Sequence, residues 1–393
     1  MLHIPITKAI FEADDLAVIQ KPLESGWVVQ GPYVAAFERG FAEWTGTAAA
    51  MATTSCTTAM QLAMSALGLK PGDEVIVPSF TWIATANVVE HCGARPVFVD
   101  IDLRTFNVDP DRIEAAITPR TVGIIPVHLF GQPADMVRIM EIAARHRLWV
   151  VEDAACGFDT WLDNHHVGTF GDFGCFSFHP RKSITTGEGG MVITNQLQHA
   201  SLIRTLRDHG ASKSDLERHG QQYSFLLAEY KHLGFNFRMT DLQGALGTTQ
   251  MAKAARIMAG RRQAAAWYDE LLGGVDWLQT PLRGPRVRHG EQSYVCLFQP
   301  EQPTMRNSAQ LFAQRNAGMA ALEARGIITR QGTHAPPHLP YYASRYGIAP
   351  EDYPMGWLAE HCSITLPMYA GMTFDECSHV VAALHDVFAT VAA

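Results

Sequence analysis

Between residues 48 and 195 short β-rich runs alternate with helical patterns, and this alternation restricts the fold more than any other feature of the chain. Strand candidates are EVIVP at 74–78, PVFVDI at 96–101, TVGIIPVHL at 121–129, LWVVED at 148–153 and CFSFH at 175–179. Most are unbroken apolar runs, as expected of strands covered on both faces. Helical spacing fills the gaps over 57–69, 83–91, 110–116 and 134–147. The last of these opens beside Pro133 and closes on Arg145, His146 and Arg147, which suit a helix C-terminus. Strand, helix, strand in this order predicts right-handed crossovers and an α/β fold, a mostly parallel central sheet flanked by helices.

After about residue 200 the texture changes. Helical patterns run through 201–209 and 239–273, the second entered at Thr240–Asp241. TPLRGPRVRHG (280–290) predicts a surface connection, followed by strand-like SYVCLFQ, a helix over 308–325 and a last helix over 374–390. At 393 residues the chain exceeds the roughly 100–200 typical of one domain. It divides into a large α/β domain over 1–275, N-terminal arm included, and a smaller C-terminal α+β domain over 276–393. The net charge of -8 and the absence of a Lys/Arg run argue against nucleic acid as a partner. No apolar run nears the ~20 residues of a membrane helix, and the N-terminal segment lacks the pattern of a signal peptide. The seven cysteines are scattered without a C-x-x-C pair, which suits reduced thiols in a cytoplasmic protein. No H-E-x-x-H pattern occurs among the 17 histidines, so no metal is expected.

The residues that carry chemistry concentrate between 150 and 191, in VVEDAACGF and VGTFGDFGCFSFHPRKSITTGEGGMV. Asp153 ends a buried strand, at the edge where α/β sheets present ligands. A carboxylate among apolar and small residues is costly unless it faces a cationic partner. Lys182 follows a second buried strand, and Gly187-Glu188-Gly189-Gly190 then turns into the strand MVITN. A lone aspartate at a strand end is usually a cap, and a lone lysine a solvated charge. Together, at the ends of neighbouring strands, they match the needs of pyridoxal phosphate (PLP) chemistry. An amine must capture the cofactor aldehyde and later carry the substrate proton, while a carboxylate keeps the pyridine nitrogen protonated.

Small hydroxyl residues open an amphipathic helix in TTSCTTAMQLAMSALGL (53–69), and exposed N–H groups at such a start form a natural phosphate site. Thr57 adds a hydroxyl donor, and Ser177 in FSFHPRK is a further candidate. The plainer reading is an N-cap with nothing bound. Trp82, just beyond EVIVP, is a candidate to stack on a flat ring, although a tryptophan here also suits a core. GFNFRMTDLQGALG (234–247) sets Asn236 and Arg238 before a long helix, Arg238 as a candidate substrate contact, with a simple loop-to-helix entry as the alternative. His165–His166 in LDNHHVG suits a hairpin. His334 and His338, in the loop QGTHAPPHLPYY, are candidate substrate contacts, or else parts of a solvated loop.

Taken together, these segments resemble the DegT/DnrJ/EryC1/StrS family of PLP-dependent sugar aminotransferases, of fold type I in the aspartate aminotransferase superfamily. The resemblance covers nearly the whole chain, from SGWVVQGPYVAAFE (25–38) through GDEVIVPSFTWIATANVV, the block at 151–191, LRDHG (206–210) and GFNFRMTDLQGALG to SITLPMYAGMT (363–373). It implies that Lys182 holds PLP covalently and that Asp153 faces the pyridine nitrogen. Ser55, Cys56 (through its backbone), Thr57 and Ser177 match phosphate contacts, and Trp82 matches the ring-stacking residue. Asn236 matches a residue that reaches the phosphate of the neighbouring subunit's cofactor, which implies a homodimer with shared active sites. Two positions depart from the pattern. Cys156 stands where Gln, His or Glu is common near the ring, and Ser55-Cys56-Thr57 replaces a Ser-Gly-Thr turn. The THAPPHLPYY loop also differs, where sugar recognition would be most affected.

By that resemblance the enzyme alternates between PLP and its amine form, PMP. It would move the amino group of L-glutamate to a keto sugar and release 2-oxoglutarate. The expected acceptor is a nucleotide-linked 4-keto or 3-keto deoxysugar, in amino-sugar biosynthesis for lipopolysaccharide or another surface polysaccharide. One alternative is a keto sugar without a nucleotide, such as an 8-oxo octulosonate or an inosose. Another is a PLP-dependent sugar dehydratase, against which Lys182 argues because those enzymes carry histidine there. A PLP-binding regulator without turnover is the third, and the intact lysine argues against it.

Overall fold

The computed structural model of the chain describes residues 3–212 and 228–391. Its central sheet contains β1 (Ala49–Thr53), β2 (Glu74–Pro78), β3 (Arg95–Val99), β4 (Thr121–Ile124) and β5 (Trp149–Asp153). A short hairpin, β6 (Trp161–Leu162) and β7 (His165–His166), precedes β8 (Phe173–Ser177) and β9 (Gly190–Thr194), which complete the sheet. The strand order is β1-β9-β8-β5-β4-β2-β3. Neighbours from β8 through to β3 are parallel, and only β9 is reversed, running antiparallel to both β1 and β8. The sheet is therefore mixed, with the mostly parallel character that the apolar runs predict.

Alternate residues of each strand serve opposite layers. Met51, Val75, Val77, Val151 and Val192 pack with the Cys56–Ala66 and Ala84–His91 helices. Ala50, Ala52, Phe176, Met191 and Ile193 pack with Phe37 and Phe41 of the Pro32–Thr45 helix. The Asp241–Leu271 helix begins at a capping box in which Thr240 Oγ1 accepts from Gln243 N–H at 3.3 Å. Among the described residues no helix is long and apolar enough to cross a membrane.

Beside Asp153, Glu152 is fully buried. Its carboxylate accepts from the N–H groups of Gly168 (2.6 Å), Phe170 (2.8 Å) and Gly171 (2.8 Å). His128 Nε2 lies 2.9 Å away, and because His128 Nδ1 accepts from Ala134 N–H, Nε2 carries the proton toward Glu152. This network pins the turn that feeds β8, the strand leading to Lys182. A Glu152→Ala protein, with these buried donors stranded, should lose about 3–5 kcal/mol of stability, measured by urea unfolding.

A second sheet, β10 (Leu278–Gln279), β12 (Tyr294–Phe298) and β13 (Ser363–Leu366), packs with the Ser308–Ala324 and Phe374–Val391 helices. β11 (Val287–Arg288), inside the expected surface connection, pairs instead with β6. The N-terminal arm joins the C-terminal part: Ile4 N–H donates to Gly326 O at 2.8 Å and Met368 N–H to Ile6 O at 3.0 Å.

Candidate active site

β5 and β8 are parallel neighbours with Asp153 opposite Cys175, so Asp153 and the segment after β8 leave the sheet at one edge. Asp153 is buried, at 4% exposure. Its Oδ2 accepts from Thr85 Oγ1 at 2.7 Å and its Oδ1 from Ala155 N–H at 3.1 Å. The Thr85 hydroxyl also meets Thr81 Oγ1 at 3.0 Å. Sequence reasoning passed over both threonines. Thr85 lies in the first turn of the Ala84–His91 helix and Thr81 just before that helix, beyond β2.

Beyond β8 the chain folds back on itself, with Phe178 N–H on Gly189 O at 2.9 Å and Lys182 N–H on His179 O at 2.8 Å. This loop brings Lys182 Nζ within 3.1 Å of Cys156 Sγ. Burial disfavours the ammonium, but Cys156, Cys56 and Asp153 outweigh it and hold Lys182 above the ordinary lysine range. Burial first, and then the charge of Asp153, pushes the Cys56 thiol well up. Asp153, Cys56, Cys156 and Lys182 thus share one electrostatic neighbourhood.

Ser55 caps the Cys56–Ala66 helix, its Oγ accepting from Thr58 N–H at 3.2 Å while Thr58 Oγ1 accepts from Ser55 N–H at 3.0 Å. The Ser55 side chain is therefore engaged by its own helix. The N–H groups of Cys56 and Thr57, and the Thr57 hydroxyl, have no partner among the described residues. Cys56 is not among the residues with positive φ, so the missing glycine imposes no backbone strain here.

Ser177 pairs with Gly190 across β8 and β9. An added Cβ at Gly190 would meet Cys56 N at 2.6 Å and the Ser55 carbonyl more closely still. Glycine thus lets β9 bring Ser177 up to the helix start. The donor set fits PLP: unpartnered N–H and hydroxyl donors for a phosphate, a buried carboxylate for a pyridine nitrogen, an amine for an aldehyde. A Gly190→Ala protein should bind PLP at least about tenfold more weakly, since one lost charge-assisted hydrogen bond has that effect; fluorescence titration of cofactor-free protein checks it.

Trp82 is 59% exposed, and its ring centroid lies 5.7 Å from that of His334. Thr81 N–H donates to the backbone carbonyl of His334 at 3.0 Å, and the Thr81 hydroxyl meets that of Thr85, which donates to Asp153. Phe237 O accepts from Thr54 N–H at 3.2 Å, which brings Asn236, an exposed residue, beside the same helix start. Arg238 is ion-paired with Asp208 of its own chain.

His338, the other histidine of this loop, is packed among aromatic side chains. Its ring sits edge-on to Trp357 at 5.2 Å, and both ring nitrogens are buried without hydrogen bonds. Burial pushes its pKa down to about 4. Tyr353 and Trp357 pack against the imidazole. A cavity of about 670 Å³ near the loop after β3, lined by Asp102, Asp109, Gln132 and Arg286 among others, includes none of the candidate residues.

Similar proteins carry the same architecture. The chain is 38% identical over 389 residues to GDP-perosamine synthase of Caulobacter vibrioides, covering 98% of each. It superposes with TM-score 0.89 and 25% identity on Helicobacter pylori PseC, an aminotransferase involved in pseudoaminic acid biosynthesis, covering 99% of this chain and 100% of that one. The PLP form of Spr1654 from Streptococcus pneumoniae matches with TM-score 0.90 and 25% identity, covering 99% and 100% of the two chains. The sequence profile of the DegT/DnrJ/EryC1/StrS aminotransferase family matches residues 10–385, and the chain belongs to that family.

Proposed function

We propose that this aminotransferase uses PLP to move the amino group of L-glutamate to a nucleotide-linked 4-keto or 3-keto deoxysugar, in amino-sugar biosynthesis for a surface polysaccharide. The observation that carries the reading is the meeting of Asp153, Lys182 and the open helix start at Cys56–Thr57 on one sheet edge. Similarity to GDP-perosamine synthase supports a nucleotide-linked acceptor, and similarity to PseC supports an amino-sugar product.

When bound, the cofactor supplies an electron sink for the pair released from the substrate C–H bond. Lys182 is the proton carrier: as a neutral amine it would take the proton from the substrate carbon and pass it to the cofactor within the same half-reaction, and the second half-reaction would run that transfer in reverse. Asp153, held by Thr85 and Ala155, provides the negative charge that keeps a ring nitrogen protonated. Cys56, Thr57 and Ser177 take the phosphate, and Trp82 covers a ring face. Asn236 reaches the site of a second copy, making the homodimer the working unit.

L-Glutamate added to the purified holoprotein should convert the cofactor to its amine form and release 2-oxoglutarate. Amino-sugar nucleotides tried in reverse, with 2-oxoglutarate as acceptor, then identify the sugar. A spectrum indifferent to L-glutamate but responsive to another amino acid sinks the donor assignment. For the shared site, mixed Lys182→Ala and Asn236→Ala chains should regain activity that neither has alone. No recovery despite verified subunit exchange counts against it.

A further inference from the structure

Three residues hold His334. Its carbonyl accepts from Thr81 N–H at 3.0 Å, its ring lies beside Trp82 at 5.7 Å, and its Nδ1 is 3.2 Å from Glu360 Oε1. Glu360 stands on the Pro354–Cys362 helix, whose first turn is itself anchored. There Met355 N–H and Gly356 N–H each donate to the buried carboxylate of Asp100 at 2.8 Å, and Ser79 Oγ donates to Asp100 at 2.7 Å. Asp100 follows β3 and Ser79 follows β2, so the central sheet fixes where Glu360 points.

A carboxylate oxygen accepts only, so Nδ1 carries the proton between them, and in the neutral ring the opposite nitrogen, Nε2, then keeps its lone pair. Nε2 has no partner among the described residues, and the His334 side chain is 39% exposed against 17% for Glu360. An oriented imidazole acceptor beside an open tryptophan face suits a ligand with both a flat or apolar surface and hydroxyl donors. A sugar has both; the side chain of L-glutamate offers no hydroxyl.

We propose that Glu360 is a positioning residue that orients His334, and that His334 Nε2 accepts a hydrogen bond from a hydroxyl of the sugar substrate. The inference rests on the sugar aminotransferase reading and adds to it a specificity contact. It involves no group transfer.

Two measurements on the holoprotein test it. Diethyl pyrocarbonate acylates an accessible imidazole lone pair, and peptide mass spectrometry reads the labelled residue. His334 should label readily in the wild-type protein and severalfold more slowly in Glu360→Gln, where the orienting anion is gone. In the second measurement, amino-group uptake is followed by cofactor absorbance with, as donors, L-glutamate and the amino-sugar nucleotide that the reverse assay identifies. His334→Ala and Glu360→Gln should raise the KM for that amino-sugar nucleotide about tenfold relative to that for L-glutamate, the effect of one hydrogen bond. His334→Gln, which can present an amide oxygen, should recover part of the loss.

Equal labelling of His334 with and without Glu360 overturns the orienting pair. An unchanged KM ratio in His334→Ala overturns the hydroxyl contact. Failure of the wild-type protein itself to take an amino group from L-glutamate strikes the donor assignment beneath the proposal, and is distinguished by appearing without any substitution.

Discussion

A Lys182→Ala protein is expected to turn over roughly 10⁴-fold more slowly than the wild type and to hold no cofactor that borohydride fixes to the chain. The expectation follows from the surroundings of the amine. Lys182 Nζ has a thiol, Cys156 Sγ, at 3.1 Å and no salt-bridge partner among the described residues. Lys253 is buried as well, at 7% exposure, but its ammonium is occupied by Asp14 at 3.0 Å and by Asp15. A buried amine with no paired carboxylate is the one free to attack an aldehyde. Borohydride reduction of the holoprotein, followed by peptide mapping, should mark residue 182 alone; a mark at another lysine overturns the assignment. The raised pKa of Lys182 adds a pH dependence. Attack requires the neutral amine, so capture of PLP by cofactor-free protein should accelerate with rising pH to beyond the ordinary lysine value, as stopped-flow absorbance would show.

Asp153→Asn should lower turnover about 10²–10³-fold in both half-reactions, the scale seen when one preorganised electrostatic contact to the reacting system is removed. The side chain keeps its shape while its charge disappears, so a loss reports the charge rather than packing. The carboxylate is held by Thr85 Oγ1 and Ala155 N–H, and its position depends on both. Thr85→Val, which removes one hydrogen bond and leaves the charge, should cost only about tenfold. The order of the two effects is the test. Asp153→Asn activity within twofold of wild type, or a Thr85→Val protein more damaged than Asp153→Asn, would remove Asp153 from its assigned role.

The strands of the sheet core were legible because each is an apolar run bounded by turns. β1 was not. Its residues, AAMAT, are small and have little strand preference, and the strand forms because it pairs with β9 from Ala49↔Thr194 to Thr53↔Gly190. The helices Ala13–Ser25 and Pro32–Thr45 were also passed over, although Gly26 and Gly46 close them in left-handed conformation. Lys182 and Asp153 stood out because two residues of opposite charge each followed a buried strand. Thr85, Gly190 and Glu360 did not, since each acts on a partner far away in the chain: 68 residues separate Thr85 from Asp153 and 26 separate His334 from Glu360. His334 and His338 share one Pro-rich loop and looked alike in sequence. Thr81 and Glu360 hold the first at the cleft, while Tyr353 and Trp357 bury the second.

Spacing along the chain was thus enough to determine the α/β class, the amine and the carboxylate at neighbouring strand ends, and the hydroxyl-rich helix start. Those features are local: an apolar period, a cap or a charge beside a strand is written within a few residues. Which side chains meet across the cleft was decided by sheet order and register, because β5, β8 and β9 come together only when the whole sheet has formed. Hydrogen bonds act over about 3 Å, and only the assembled tertiary structure brings groups separated by tens of residues within that reach.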